Sequence, residues 1–201
     1  MDPLTALQKF REHVETYVPM NDMEWQALAP HLEVSILKKK KNFAEPGKIC
    51  NHIGLVVKGA VRYFLVKDGE EITGYFSFEN ELLSSYKSFL TRQPGENYIQ
   101  ALEDSQIVTL SYRAIQQVYD DEFIGRKMER FGRLIAEQYL ICYEDRVNAF
   151  VTQTPEERYS KLIETGGEVL QRIPQHYIAN FLGVTPVSLS RIRRRIMKIS
   201  A

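Results

Sequence analysis

Apolar positions at Leu4, Leu7, Phe10 and Val14 recur every three or four residues and predict an amphipathic helix over residues 2–18. Asn21 followed by Glu24 has the form of a capping box, which predicts a second, short helix carrying Trp25 and Leu28 and ending at Pro30. From His31 the period shortens to two. Val34, Ile36 and Lys38 alternate with Ser35 and Leu37, and the runs Ile53–Lys58, Ala60–Val66, Glu71–Phe78, Ile99–Leu102 and Ile107–Leu110 continue the strand pattern. Gly59 and Asp68-Gly69 punctuate them as turns, Asp-Gly being a strong hairpin signal. Short strands at this spacing, without long helices between them, predict an antiparallel barrel or jelly roll. Residues 81–98 interrupt the strands with a short helix, Leu82–Leu90, and a polar loop, Thr91–Asn97. This insertion is either one wall of a small-ligand site or a plain connection.

Between Asp120 and Gln153 the chain lacks Pro and has Gly only at 125 and 132. Ile124, Met128, Phe131, Ile135 and Cys142 lie near one stripe, with Leu134 and Ile141 beside it. A helix of about 30 residues is roughly 45 Å long, more than one face of a small barrel covers. It either lies wholly on its own barrel or packs against a copy of itself, and the second reading is preferred. Thr154, Pro155 and Glu157 then signal another helix start, with Tyr159, Leu162 and Ile163 as packing residues and Gly166-Gly167 as its end.

The segment Ile173–Met197 reads as two helices about a tight turn. The first opens at Pro174 and packs Ile178, Ala179 and Leu182; Gly183 supplies the turn. The second is capped by Thr185, begins at Pro186 and turns Leu189, Ile192 and Ile196 inward. Its opposite face carries Val187, Ser190, Arg191 and Arg194. Small residues near the N-terminal end and arginines behind them suit a helix entering a DNA major groove. A solvated basic helix pair is the plainer alternative. The preferred reading is a helix-turn-helix. Four residues, Lys198–Ala201, follow, so a β-wing is expected either to be absent or to lie outside this sequence. The fold class is α+β: an antiparallel β-roll (residues 1–119), a long dimerisation helix (120–153) and a C-terminal helix-turn-helix domain (154–201).

Net charge is zero over 201 residues, yet residues 153–201 hold eight Lys/Arg against four Asp/Glu. Nucleic-acid contact therefore belongs to the C-terminal part. The Lys38–Lys41 run fits a phosphate patch or, more simply, an exposed strand edge. No run approaches the ~18 apolar residues of a membrane span, and MDPLTALQKF lacks the apolar core of a signal peptide. A cytoplasmic protein with no membrane partner is expected. Cys50 and Cys142 form no CxxC motif and read as buried free thiols. The four histidines, His13, His31, His52 and His176, are scattered, so no metal site is expected. No Ser/His/Asp spacing or glycine-rich phosphate loop appears, and the protein is not expected to be an enzyme.

The order of parts, with EPG…IGLVVKGAVRYFLVKDGEE, the long helix, TPEER and IPQHYIANFLGVTPVSLSRIRRRI, resembles the Crp/Fnr family of bacterial transcription regulators across nearly the whole chain. The resemblance implies a cyclic-nucleotide-binding-like roll and a homodimer. It also implies double-stranded DNA as partner, an operator affinity set by the roll, and RNA polymerase as a further partner. The ligand motif departs from the pattern. Family members that bind cyclic AMP start the phosphate cassette with Gly-Glu-Leu and end it with Arg-Ser; here Asn80-Glu81-Leu82 and Asn97-Tyr98 stand there. Asn and Tyr cannot neutralise a cyclic phosphate. The candidate pocket is Glu81, Leu82, Arg92, Asn97 and Tyr98, with Arg92 the nearby residue that could stand in for the missing arginine. A diverged sensory roll, with no cofactor and an effector left open, is expected. The alternative is a true cyclic-nucleotide-responsive regulator with a non-standard phosphate group. In the recognition helix Pro186-Val187 replace the family's Arg-Glu pair, while Arg191 stays. The resemblance therefore implies Arg191 as the base-reading residue, with Val187 or Ser188 at a thymine methyl or a base edge. It implies Gln175, His176, Thr185, Arg194 and Arg195 as candidate phosphate contacts, and the operator is expected to differ from the usual one.

Overall fold

A computed structural model describes residues 2–199, without the side chains of 167–169 and 197–199. The basic residue Lys198 therefore falls outside the described side chains, and Ser200 and Ala201 outside the described residues. Contacts divide the chain into two compact units: Met1–Leu65 with Tyr75–Glu137, and Val66–Gly74 with Gln138–Ala201.

In the first unit, helix α1 spans Pro3–Glu15 and α2 spans Asp22–Leu28. The Asn21–Glu24 capping box forms in both directions: Asn21 Oδ1 accepts from Glu24 N–H at 2.9 Å, and Glu24 Oε2 from Asn21 N–H at 2.8 Å. Eight strands follow: β1 Glu33–Leu37, β2 Asn42–Ala44, β3 His52–Lys58, β4 Val61–Lys67, β5 Glu70–Ser77, β6 Leu82–Leu83, β7 Tyr98–Ala101 and β8 Ser105–Ser111. They form two four-stranded sheets, ordered β1-β8-β3-β6 and β2-β7-β4-β5, and every recorded pairing is antiparallel. This is the expected roll.

The pleat explains the continuous apolar runs. Val56, Leu83 and Ile107 point between the sheets to meet Val61, Ile99 and Ala44. Their neighbours Leu55, Val57, Val108 and Leu110 point the other way and pack under Phe10, Val14 and Leu28. The central strands β8 and β3 of the first sheet are thus buried on both faces, which removes the alternation a half-exposed strand shows. Asp68 and Gly69 both take positive φ, +54° and +81°, as the hairpin turn demands.

The insertion differs from expectation. Leu82 and Leu83 pair with Leu55 and Gly54 as β6, and helix α3 begins only at Tyr86, spanning Tyr86–Thr91. The pairing is long-range, so local helical spacing did not reveal it. A second difference lies at the start of the long helix. Tyr112–Asp120 forms a separate helix, α4, capped by the Ser111 hydroxyl, and α5 spans Gly125–Thr152. Asp121 Oδ1 accepts from Phe123 N–H at 2.8 Å and from Ile124 N–H at 3.0 Å, closing a turn that breaks the helix without Pro.

The apolar stripe of α5 also divides. Ile124, just before the helix, joins Met128 and Phe131 in the core under α1. Beyond them Leu140, Ile141, Tyr143 and Val151 are exposed (59%, 60%, 65% and 80%). Cys142 is exposed as well, a correction to the expected buried thiol; Cys50 is buried.

The second unit holds the end of α5, then α6 Pro155–Gly166, α7 Gln175–Phe181 and α8 Pro186–Ile199. A 3₁₀ segment, Gly167–Arg172, carries the chain on beyond the expected glycine stop. Pro174 sits as the N-cap of α7 rather than inside it. Among the described residues, Tyr159, Ile173, Ile178, Ala179, Leu182, Leu189 and Ile192 are the buried apolar residues of this unit. The tip of the β4–β5 hairpin, residues 66–74, belongs here too. The Asn180 carboxamide lies along its edge: Nδ2 donates to Glu71 C=O at 2.8 Å, and Oδ1 accepts from Thr73 N–H. One side chain thus satisfies the two outward backbone groups of an edge strand, as a neighbouring strand would.

Candidate nucleic-acid interface

The turn between α7 and α8 is built by its own backbone. Gly183 takes φ +71°; its N–H donates to Asn180 C=O, and Val184 N–H donates to Ala179 C=O, both at 2.9 Å. A side chain at that φ would be strained. Arg158 of α6 braces the same corner, donating to Leu182 C=O at 2.9 Å and to Gln153 C=O at 2.6 Å, with its guanidinium 4.5 Å from the Phe150 ring centre. Thr154 and Glu157 form the cap of α6, with Thr154 N–H donating to the Glu157 carboxylate at 2.7 Å. That bond and the Thr154 hydroxyl hold the carboxyl of Glu157 below its usual range.

Helix α8 starts as its sequence predicts. The Thr185 hydroxyl accepts from Ser188 N–H at 3.2 Å and donates to the Ser188 hydroxyl at 3.0 Å. Leu189 and Ile192 turn inward and are buried. Val187, Ser190, Arg191 and Arg194 are exposed on the other side. Among the described residues neither Arg191 nor Arg194 has a hydrogen-bonding or ionic partner, so both guanidinium groups are open to an anionic ligand.

Other candidates have internal partners. Arg195 pairs with Glu156 of α6 at 2.7 Å. Gln175 accepts from Arg193 at 2.9 Å. His176 is exposed at the start of α7, its ring 4.0 Å from that of Tyr177. The α8 face is therefore a graded surface: Pro186 and Val187 at its tip, Ser190 and Arg191 next, Arg194 last.

The roll candidates have separate structural roles. Arg92 lies in the left-handed region (φ +55°) at the end of α3. It donates to the carbonyls of Cys50 and Phe89, each at 3.1 Å, and to Asn51 Oδ1, and it stacks 4.1 Å from the Tyr112 ring centre. Its charge braces the fold. Glu81 accepts from Phe78 N–H at 3.0 Å in the turn before β6, and burial pushes its carboxyl above the usual range. Leu82 packs against the helix-side core, Asn97 is exposed, and Tyr98 stacks on Phe64 with ring centres 4.8 Å apart.

Two polar groups inside the roll escaped sequence reasoning. Arg62, 2% exposed, lies 3.9 Å from the Phe64 ring centre and donates to Gln100 Oε1 at 3.0 Å. Its signal was a lone charge inside the apolar run VRYFLV. Tyr63 shares a hydrogen bond with Ser77 at 3.2 Å, and burial pushes its phenol well above the usual range. Among the described residues no group of three or more His, Cys, Asp or Glu side chains comes together, and no helix is long and apolar enough to cross a membrane.

No protein-family model matches the sequence, and no curated protein does. Solved structures do. A CooA mutant from Carboxydothermus hydrogenoformans matches with a TM-score of 0.66 and 20% identity, over 86% of this chain and 79% of that one. CLP of Xanthomonas campestris, described as a cyclic-di-GMP-responsive global regulator, matches with a TM-score of 0.68 and 12% identity, over 87% and 91% of the two chains. FixK2 from Bradyrhizobium japonicum matches with a TM-score of 0.68 and 17% identity, over 84% and 86%. The chain has the fold of these Crp/Fnr-type proteins, a cyclic-nucleotide-binding-like roll followed by a helix-turn-helix.

Proposed function

We propose that this protein is a sequence-specific DNA-binding transcriptional regulator of the Crp/Fnr type, acting in the cytoplasm as a homodimer and without catalytic activity. The observation that carries the reading is the α8 face. It presents Ser190, Arg191 and Arg194 to solvent from a capped helix whose other side is buried. An unpaired arginine held on a rigid helix matches the two acceptors of guanine in the major groove, and a second matches a phosphate.

The exposed apolar residues of α5 support the dimer. Leu140, Tyr143, Val147 and Val151 recur at helical spacing on one side, and a two-fold pair of such helices presents two recognition helices to two half-sites. The roll is then the effector module, with RNA polymerase a further partner. Cyclic AMP is not its ligand by way of Arg92, since that guanidinium already binds two backbone carbonyls.

The test is selection of duplexes from a random pool by the purified protein. The reading requires an enriched inverted repeat whose half-site centres lie about 10 base pairs apart, or a multiple of that. Absence of any enriched sequence contradicts it.

A further inference from the structure

We propose that Val187 reads the C5-methyl group of a thymine, and that this contact takes the place of polar readout at the tip of the recognition helix. The inference rests on the DNA-binding reading above and gives it a chemistry.

Val187 is 62% exposed in the first turn of α8. Nothing in the fold requires it there. A β-branched apolar side chain on a solvent-facing helical position loses rotamer freedom and gains no burial. A residue choice that runs against local preference marks a position serving something outside the chain. Its surroundings narrow what that is. Pro186 before it has no N–H and no polar side chain. The Thr185 hydroxyl is bound to the backbone and hydroxyl of Ser188, so the polar groups flanking Val187 close the helix cap. The tip of α8 is therefore apolar, and free polar groups begin only at Ser190 and Arg191.

The major groove offers one apolar feature, the thymine methyl. Set against a cytosine amino group, an adenine amino group or a guanine oxygen, valine would bury a polar atom without a partner. Against thymine it buries methyl on methyl. The arginines fix where this happens. Val187 and Arg191 are one turn apart, about 6 Å along the helix, or roughly two base pairs at 3.4 Å each. The half-site is a methyl-read thymine about two base pairs from an arginine-read guanine.

The experiment uses the duplex enriched from the random pool, with deoxyuridine replacing each thymine in turn, so that only the methyl is removed. Binding is measured by fluorescence anisotropy for the full chain and for Val187→Ala and Val187→Glu. For the unaltered protein, one position per half-site loses about fourfold in affinity on losing its methyl, or about fifteenfold when both half-sites are changed. For Val187→Ala the same replacement changes affinity less than twofold, while the salt dependence, set by phosphate contacts, is unchanged. Val187→Glu shifts the selected base from thymine toward cytosine, whose amino group a carboxylate accepts. The inference is overturned if no uracil replacement weakens the unaltered protein, or if Val187→Ala keeps the full methyl dependence. If the pool yields no enriched sequence at all, the DNA-binding reading itself falls.

Discussion

Replacing Arg92 separates a structural cation from a ligand-binding one. In Arg92→Ala, two hydrogen bonds from a charged donor to the carbonyls of Cys50 and Phe89 are lost, each 3.1 Å long. Bonds of this kind contribute about 1.5–3 kcal/mol each, and the low end applies because Arg92 is half-buried. Loss of the stack on Tyr112, 4.1 Å from guanidinium to ring centre, adds about 0.5 kcal/mol. The expected destabilisation is about 3–4 kcal/mol. With a urea dependence of about 2 kcal/mol per molar, the midpoint falls by about 1.5–2 M. Trp25, the only tryptophan, packs against the helix-side core of the same unit, so its fluorescence reports the transition. Arg92→Gly is an internal control. The backbone there has φ +55°, and glycine recovers about 1 kcal/mol that alanine does not. An ordinary ligand-binding arginine costs stability when left unliganded, so its removal is neutral or stabilising. A change under about 0.5 kcal/mol in Arg92→Ala would refute the structural role and return Arg92 to the effector site.

Three further outcomes are expected. Burial raises the Glu81 carboxyl above its ordinary value of 4.5, so the folded state binds the proton more tightly than the unfolded state. Stability falls as pH rises through the window between the two values, and Glu81→Gln is more stable than the unaltered protein at pH 7 but not at pH 4; equal gains at both would contradict this. Asn180→Ala removes two hydrogen bonds at the hairpin edge, to the Glu71 carbonyl and from the Thr73 N–H, a cost of about 1–3 kcal/mol for the pair, and amide exchange at Thr73 speeds up. Unchanged protection there would mean that the contact is not formed in solution. Leu140→Glu, at a residue 59% exposed, shifts sedimentation from dimer to monomer without altering the roll's unfolding, whereas a dimer that survives it is not built on this face.

What the sequence reveals is what is local. The Asn21–Glu24 box, the Asp68-Gly69 turn, the Thr185 cap and Gly183 each act over two or three residues, and each is found where the spacing puts it. Features made by distant partners are harder to read. Leu82 and Leu83 look helical until Leu55 and Gly54 lie beside them. The α4–α5 break depends on a single aspartate turn rather than on Gly or Pro punctuation. Arg92 looks like a free cation because its partners Cys50 and Asn51 lie some forty positions earlier in the chain. Asn180 gives no sign of pairing with a hairpin more than a hundred residues away. The exposed face of α8 is legible because its evidence is periodic. The state of each arginine is not, since only the folded chain pairs Arg195 with Glu156 and leaves Arg191 open.

The most direct measurement is the affinity of Arg191→Ala for the selected duplex and for a scrambled duplex of the same length and composition. A loss of about 1–3 kcal/mol is expected on the selected site, with binding to scrambled DNA nearly unchanged. Equal loss on both would make Arg191 a phosphate contact and contradict the claim that this helix reads sequence.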